Sequence, residues 1–310
     1  MPLFFVIAGI NFCPEKFGSF RFMINKKYRT MILPYLFFCA FGVAYKLIYH
    51  CITHTLNEIL LSAKTILFAI IWAPSSEPFQ IFNTPLWFVP CLLLVEIMFY
   101  GFSKIHNKYL FWTTIVSVTS AGWYMESPMT SVDFSVLPWN LSTACFATGF
   151  FAVGNRLRKT IYKNIIEPEL SKKQLAKLIL LFVPAFLLTG YLGVHNPISM
   201  GSRELGNGFM LITTGLLGTL CVLIGSRIVQ NSRLLNFFGK NSFAVMGFHL
   251  PVFWGTFSLM SGLADKLKWF PQISIDSMFG SIVLFLFVTV LTASLTMAYR
   301  KNNKWQPAKR

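Results

Sequence analysis

The sequence predicts an all-α protein, a polytopic bundle of transmembrane helices. Of its 310 residues, 55% are hydrophobic and only 12% are charged, which is about half the charged fraction of an average soluble domain. The basic residues give a formal net charge of +16, and they fall in short segments between long apolar runs. That pattern is typical of cytoplasmic loops of membrane proteins. It leaves no continuous basic face for a nucleic acid, so we expect no nucleic-acid partner.

Eight apolar runs of transmembrane size follow residue 30, at 32–52, 86–103, 109–124, 138–154, 175–194, 206–226, 241–260 and 279–299. A span needs about 20 apolar residues, and residues 1–13, which are shorter, are interpreted as a partial first span. The prediction is a single integral-membrane domain over residues 1–310 with about nine spans, and a tail at 300–310. The nine-residue run Thr65–Ala73 is too short to span and is expected to be interfacial or re-entrant.

The distribution of Lys and Arg predicts the orientation of these spans. With residues 14–31 in the cytoplasm, strict alternation places 22 of the 27 basic residues on the cytoplasmic side and four outside, with Lys46 inside a span. Positive charge concentrates in short cytoplasmic loops. We therefore expect a protein of the plasma membrane whose C-terminus lies in the cytoplasm and whose Met1 lies near the outer face. An outer first residue also predicts a further helix upstream, which would make ten spans.

A compact basic cluster precedes the first long run. Lys26, Lys27 and Arg29 lie just before the apolar residues that begin at Ile32. Such cations anchor the cytoplasmic end of a helix, and they are also suited to bind an anionic ligand through charge-assisted hydrogen bonds. Residue types alone favour the anchor over the ligand site.

Ionisable side chains inside spans are costly and are therefore candidates for function. Lys46 lies late in its run and is expected to extend its amine to the outer interface. Glu96 lies near mid-span, where a carboxyl group belongs either to a site or to a structural pair. His249 lies about 12 Å into its span, counted from Asn241. Its imidazole suits proton transfer, and a structural core histidine is an equally good interpretation.

No metal site or permanently bound cofactor is predicted. The six cysteines are scattered without a CxxC pair, and there is no HExxH motif, since His50 and His54 are four residues apart but no Glu follows the first of them. P-loop, GxGxxG and GxSxG patterns are also missing from the sequence. These observations point away from nucleotide hydrolysis, dinucleotide chemistry and serine hydrolysis.

Four motifs, in order, resemble one family. They are FFVIAG, then KKYR followed by ILPYL, then TPLWFVPCLL, then FFGKNSFAVMGFHLP. Together they resemble the bacterial integral-membrane acyltransferase family (acyltransferase family 3), and most of all its fucose 4-O-acetylase-like branch. The similarity runs from Met1 to about Trp254. The family's first helix, which carries an Arg and a His that is its candidate general base, is expected upstream of Met1.

The resemblance implies O-acetylation of a hydroxyl on a cell-surface or lipid-linked glycan, with cytoplasmic acetyl-CoA as donor. It implies that Lys26, Lys27 and Arg29 bind the donor's phosphates, which now favours the ligand site over the anchor alone. Four further residues match motif positions near the acceptor and on a late helix, and are expected to bind substrate: Asn83, Trp87, Asn241 and Ser242. The candidate catalytic residues are His249, in the same late motif, and Glu96.

Two other functions fit parts of the pattern. A transporter or flippase for a lipid-linked saccharide would explain a basic inner face and an aromatic outer mouth, although such proteins usually contain a repeat that the sequence lacks. A catalytically inactive paralogue would bind a glycan without turning it over. Both predict that acetyl-CoA leaves no label on a glycan.

Overall fold

The computed structural model describes residues 1–52, 63–74, 84–127, 130, 134, 137–163, 171–196, 200, 206–229, 231–266 and 278–302. Over these ranges the regular secondary structure is helical, with no strand, so the predicted all-α class is confirmed. Five helical stretches in this part of the chain are long and apolar enough to cross a membrane: Phe20–Ile48, Pro85–Phe102, Ala176–His195, Gly208–Arg227 and Gly280–Lys301.

Each predicted apolar run forms a helix. The α-helices are α1 (Pro2–Asn11), α2 (Phe20–Lys27), α3 (Leu33–Ile52), α4 (Ala63–Trp72), α5 (Phe88–Phe102), α6 (Lys108–Glu126), α7 (Leu141–Ile161), α8 (Lys172–His195), α9 (Gly208–Ile228), α10 (Arg233–Lys240), α11 (Ser242–Lys266) and α12 (Met278–Asn302). Polar caps start several of them, because a side-chain oxygen satisfies main-chain N–H groups that lack helical partners. Asn107 accepts from two N–H groups of α6 and Asn207 from two of α9.

The helices group into two compact units. The first contains Met1–Ile24, Trp72–Ser76 and Trp87–Ser232, and the second contains Asn25–Ile71, Glu77–Leu86 and Arg233–Arg310. In the first unit α7 is central and packs against α1, α5 and α6, while α9 packs against α8 and α1. In the second unit α11 packs against α12 and α3.

Small residues allow α7 to approach its neighbours closely. A Cβ atom on Gly154 would overlap the carbonyl group of Val6, and one on Gly9 would overlap that of Phe151, so α1 and α7 touch along their backbones. A Cβ on Gly122 of α6 would similarly overlap the main chain of α7. Such contacts are the usual way that transmembrane helices gain packing energy, since lipid provides no hydrophobic drive between them.

Replacing Gly154 with alanine is expected to destabilise the protein, by about 1–3 kcal/mol, because the added methyl group meets rigid backbone. The matched control is Gly190→Ala in α8, where nothing among the described residues lies within 4 Å of the added Cβ. That change is expected to stabilise by about 0.5–1 kcal/mol, since alanine favours a helix interior. Thermal unfolding in one detergent measures both, and equal shifts would contradict the close contact.

Helix directions within the first unit agree with alternating spans. Glu126 at the end of α6 contacts Ser142 at the start of α7, and Thr119 lies beside Gly149 further along. The two helices are therefore antiparallel, as expected for consecutive spans. Which end faces the cytoplasm remains a prediction from the charge distribution.

The short segment α4 lies beside the beginning of α3. The hydroxyl group of Tyr35, in the first turn of α3, donates to the carbonyl oxygen of Ile70 near the end of α4, at 2.7 Å. At ten residues α4 is too short to span. Its last turn is bonded to the first turn of a long apolar helix, and this favours the re-entrant interpretation over the interfacial one.

Candidate functional site

The basic cluster of the second unit lies on a helix with an irregular turn. The helices α2 and α3 follow one another without a break through a π-helical turn at Tyr28–Ile32, in which the Leu33 N–H donates to the Tyr28 carbonyl oxygen. Lys26 and Arg29 are exposed and Lys27 is half-buried. A single π turn inside an α-helix is rare and is frequently found at functional sites.

More positive charge lies at the same end of this unit. Tyr299, near the end of α12, packs its ring 5.2 Å from that of Phe37 and 5.4 Å from that of Phe38. The next two residues, Arg300 and Lys301, are exposed. The end of α12 therefore adds two cations near the beginning of α3, and the electrostatic environment favours an anionic ligand.

The fourth motif, FFGKNSFAVMGFHLP, is the late motif, and it packs α11 against α3 around the ring of Phe38. Phe38 is fully buried, with its ring 5.8 Å from that of Phe243 and 5.1 Å from that of Phe248. A Cβ atom on Gly247 would overlap the Phe38 ring, so the glycine forms a socket for it. Phe248 also packs against Phe41, at 5.2 Å, one turn further along α3. The two helices are therefore parallel, which is the direction that alternation predicts for them.

This packing fixes the depth of His249 relative to the cations. Its neighbour Phe248 lies level with Phe38 and Phe41, which are nine and twelve residues beyond Arg29. At about 1.5 Å per residue, the imidazole lies roughly 14–18 Å further along the unit than Arg29, which forms with Lys26 and Lys27 what we call the basic turn.

The hydrogen bonding of His249 selects one tautomer. Its Nδ1 atom lies 2.9 Å from the carbonyl oxygen of Met246 and 3.1 Å from that of Val245. A carbonyl oxygen only accepts, so Nδ1 carries the proton, and Nε2 of the neutral ring then bears the lone pair. The side chain is half-buried. An imidazole in this state accepts a proton from a hydroxyl group through Nε2.

The other two residues of the late motif differ in role. The side chain of Asn241 donates through Nδ2 to the carbonyl oxygen of Phe237 at 2.7 Å, which closes the C-terminal end of α10. Ser242 is exposed. Asn241 thus has a structural partner in its own chain, while the hydroxyl group of Ser242 is accessible.

In the first unit, Glu96 lies on the packed face of α5, and Trp87 is the residue just before that helix. Each is only 4% exposed. Trp87 is therefore part of the packed interior, and Leu86, Phe88 and Val89 around it are buried as well. A carboxyl group as buried as Glu96 is either paired or protonated. Asn83 lies outside the described residues.

A buried polar cluster at one end of this unit escaped the sequence analysis. One carboxylate oxygen of Glu126 accepts hydrogen bonds from the hydroxyl groups of Ser142, at 2.5 Å, and Thr143, at 2.8 Å. Asn140 precedes them in a left-handed conformation, with φ of 53°, and donates to the carbonyl oxygen of Ala73 at 2.8 Å. The hydroxyls are 1% exposed or less, so this cluster fixes the start of α7. The sequence signal for this cluster is a helix that ends in Glu, followed by a helix with two hydroxyl residues in its first turn.

The C-terminal end of α1 is hydrogen-bonded to α7. Asn155 donates through Nδ2 to the carbonyl oxygens of Gly9 and Phe12, at 3.0 and 2.7 Å, and so satisfies the end of α1. The guanidinium group of Arg158 contacts the thiol of Cys13, and this hydrogen bond raises the pKa of Arg158. Arg158 follows the apolar run 138–154, so its charged side chain lies outside that predicted span.

Comparison with known proteins identifies the class. The model of the acyltransferase domain of acyltransferase family 3 matches residues 1–300, and the chain belongs to this family. No curated protein and no solved structure matches it. The family and the apolar helices together define a multi-pass membrane acyltransferase, which acts on an acyl donor and an acceptor at a lipid bilayer.

Proposed function

We propose that this protein transfers an acetyl group from cytoplasmic acetyl-CoA to a hydroxyl of a cell-surface or lipid-linked glycan. The observation that carries the proposal is the arrangement of the second unit. A basic turn with Lys26 and Arg29 exposed lies at one end, and an imidazole whose Nε2 bears the lone pair lies roughly 14–18 Å further along. Coenzyme A carries its phosphates and its thioester at opposite ends of an extended arm, and that shape suits this arrangement.

The donor's phosphates bind to Lys26, Lys27 and Arg29 through charge-assisted hydrogen bonds. The Arg29 guanidinium group suits bidentate contact with phosphate oxygens, and the lysines add compact positive charge. The exposed Arg300 and Lys301 reinforce the potential at this end. The thioester is then directed along α3 towards His249.

The reaction is a single acyl transfer in this proposal. The Nε2 atom of His249 accepts the proton of the glycan hydroxyl, and the hydroxyl oxygen attacks the thioester carbonyl carbon. The C–S bond breaks, and the thiolate of coenzyme A leaves and takes up the proton that Nε2 of His249 received from the hydroxyl. The products are an O-acetyl ester and free coenzyme A. Glu96 is the second candidate for the base, and Trp87, Asn83, Asn241 and Ser242 are the candidates for binding the acceptor.

The motifs further support a place in the fucose 4-O-acetylase-like branch, in a bacterial inner membrane with the C-terminus in the cytoplasm. The basic turn would then face the donor's compartment. No permanently bound cofactor or metal ion takes part in this scheme, since the thioester itself activates the acyl group.

Reconstituted protein supplied with radiolabelled acetyl-CoA and glycolipids extracted from the native membrane tests the proposal. We expect label on a base-labile ester of a glycan, dependent on both protein and donor. Movement of the glycan across the bilayer without label would replace the proposal with a transporter. Glycan binding without label or movement would replace it with an inactive binding protein.

A further inference from the structure

The short helix α10, Arg233–Lys240, is amphipathic. Successive residues of an α-helix are rotated by about 100°, so its four apolar side chains share one arc of about 160°. They form the apolar side of α10: Leu234, Leu235, Phe237 and Phe238. The polar side carries Arg233, Asn236 and Lys240.

The protein leaves much of this apolar side uncovered. Leu234 is 62% exposed and Leu235 is 51% exposed. Phe237 and Phe238 are half-buried, and their rings pack against each other at 5.5 Å. Four apolar side chains together on one exposed side mark a contact surface for a partner or a membrane.

The position of α10 in the second unit indicates a membrane. The ring of Phe38 packs 5.8 Å from that of Phe243, which follows α10 closely, and 5.4 Å from that of Tyr299 near the end of α12. Lys240 is three residues before Phe243, and Arg300 is one residue after Tyr299. The ends of α10 and α12 therefore lie near the same level, where two apolar helices give way to basic residues. Such a change is typical of a membrane surface.

The charges of α10 are both positive. Arg233 and Lys240 are exposed, and the sequence contains no Asp or Glu between residues 205 and 264. The second unit has four acidic residues: Glu58, Glu77, Asp265 and Asp276. Each follows an apolar run that starts at the basic end, 32–52 or 241–260, so all four are predicted to lie on the opposite side of the membrane. The sign of the charge at α10 therefore fits anionic headgroups.

We propose that α10 lies in the plane of the membrane surface and binds anionic phospholipids. Leu234 and Leu235 insert among the upper parts of the acyl chains, and Arg233 and Lys240 bind lipid phosphate groups. An apolar side opposite a basic side is typical of helices that lie in a membrane interface. The inference does not depend on the acyl-transfer proposal, because neither coenzyme A nor a glycan takes part.

Lipid bound to α10 also fixes the start of α11. Asn241, the residue between the two helices, donates through Nδ2 to the carbonyl oxygen of Phe237 at 2.7 Å, and its main-chain N–H donates to the same oxygen at 3.2 Å. Two hydrogen bonds thus join α10 to the residue that precedes α11. Holding α10 at the surface sets the depth at which α11 enters the bilayer.

The placement of the apolar side is tested with a photoreactive amino acid in the full chain, in nanodiscs that contain phosphatidylcholine and phosphatidylglycerol. Leu234→p-benzoylphenylalanine puts the probe on the apolar side, and the matched control, Asn236→p-benzoylphenylalanine, puts it on the polar side. Mass spectrometry measures the fraction of protein that gains a phospholipid after irradiation. We expect at least about fivefold more lipid adduct at residue 234 than at residue 236, because only the apolar side meets acyl chains. Equal adduct at both positions, or none at either, would overturn the in-plane placement.

The preference for anionic lipid is tested with two phospholipid probes that carry the same diazirine in one acyl chain. One is a phosphatidylglycerol and the other a phosphatidylcholine, and mass spectrometry measures the labelling of α10 by each. We expect the phosphatidylglycerol probe to label α10 about fivefold more strongly, since each basic residue near the surface attracts anionic lipid. Equal labelling by the two probes would mean apolar contact without headgroup binding, and would overturn the assigned phosphate contacts.

The variant Arg233→Gln with Lys240→Gln assigns this preference to α10, because it removes both charges and keeps the apolar side. We expect its labelling by phosphatidylglycerol to fall to the level of phosphatidylcholine. The matched control, Lys108→Gln with Lys159→Gln, takes two exposed cations from the first unit and is expected to keep the preference of the unmodified chain. A preference that survives in the α10 variant would come from other cations and would remove Arg233 and Lys240 from the lipid contact.

Discussion

Replacing Lys27 and Arg29 with alanine is expected to weaken acetyl-CoA binding about 100-fold or more and to abolish acyl transfer. Each charge-assisted hydrogen bond contributes about 1.5–3 kcal/mol, and the double variant removes at least two of them. It also removes two of the cations that concentrate the donor at this end of the second unit. Equilibrium binding of radiolabelled acetyl-CoA to the purified protein measures the first effect, and transfer to glycolipid measures the second.

The matched control removes the same charge elsewhere. Lys108→Ala with Lys159→Ala takes two exposed cations from the first unit and is expected to leave donor binding near that of the unmodified chain. A protease-protection assay of both variants establishes that the helices keep their orientation, because basic residues also set topology. Unchanged donor affinity in the first variant, with orientation preserved, would remove these residues from the donor site.

Replacing His249 with asparagine is expected to lower kcat by a factor of about 10²–10⁴, the usual contribution of a general base. The amide of asparagine can still donate to the carbonyl groups of Val245 and Met246, as Nδ1 does now, so the local helix is preserved. It has no basic nitrogen in place of Nε2. Donor affinity is expected to stay unchanged, since the imidazole lies far from the basic turn.

Glu96→Gln provides the comparison that assigns the base. The amide keeps the shape of the buried carboxyl group and loses its ability to take a proton. If Glu96 were the base, its glutamine variant would show the large loss in kcat and the His249 variant would not. Equal activity of all three proteins would place the base on neither residue.

The positions of the helices could be read from the sequence because hydropathy alone determines them. The apolar run 175–194 became α8 at Lys172–His195, and the run 279–299 became α12 at Met278–Asn302. The distribution of basic residues predicted alternation, and the packing within each unit agrees with it. The apolar run at Thr65 became α4, a helix of ten residues, which agrees with the short length of the run in the sequence.

The geometry of the candidate site could not be read in the same way. The π turn at Tyr28–Ile32 depends on which carbonyl groups accept main-chain bonds, and residue types do not specify this. The tautomer of His249 depends on its rotamer relative to its own helix. Glu126 and Ser142 are sixteen residues apart, and only the fold of the intervening loop brings them together. The burial of Trp87 could not be predicted either, because the sequence does not reveal which face of a helix is packed.

The contact between Gly247 and the ring of Phe38 sets a distance within the second unit. The ring lies where a Cβ atom on residue 247 would overlap it, so this contact sets the register of α3 against α11 and with it the distance between the basic turn and the imidazole. We expect this distance to select donors by the length of the arm that joins their phosphates to their thioester. The identity of the acyl group on the thioester is expected to matter less. We therefore expect carriers with truncated arms to fail as donors even when they present the same acetyl thioester.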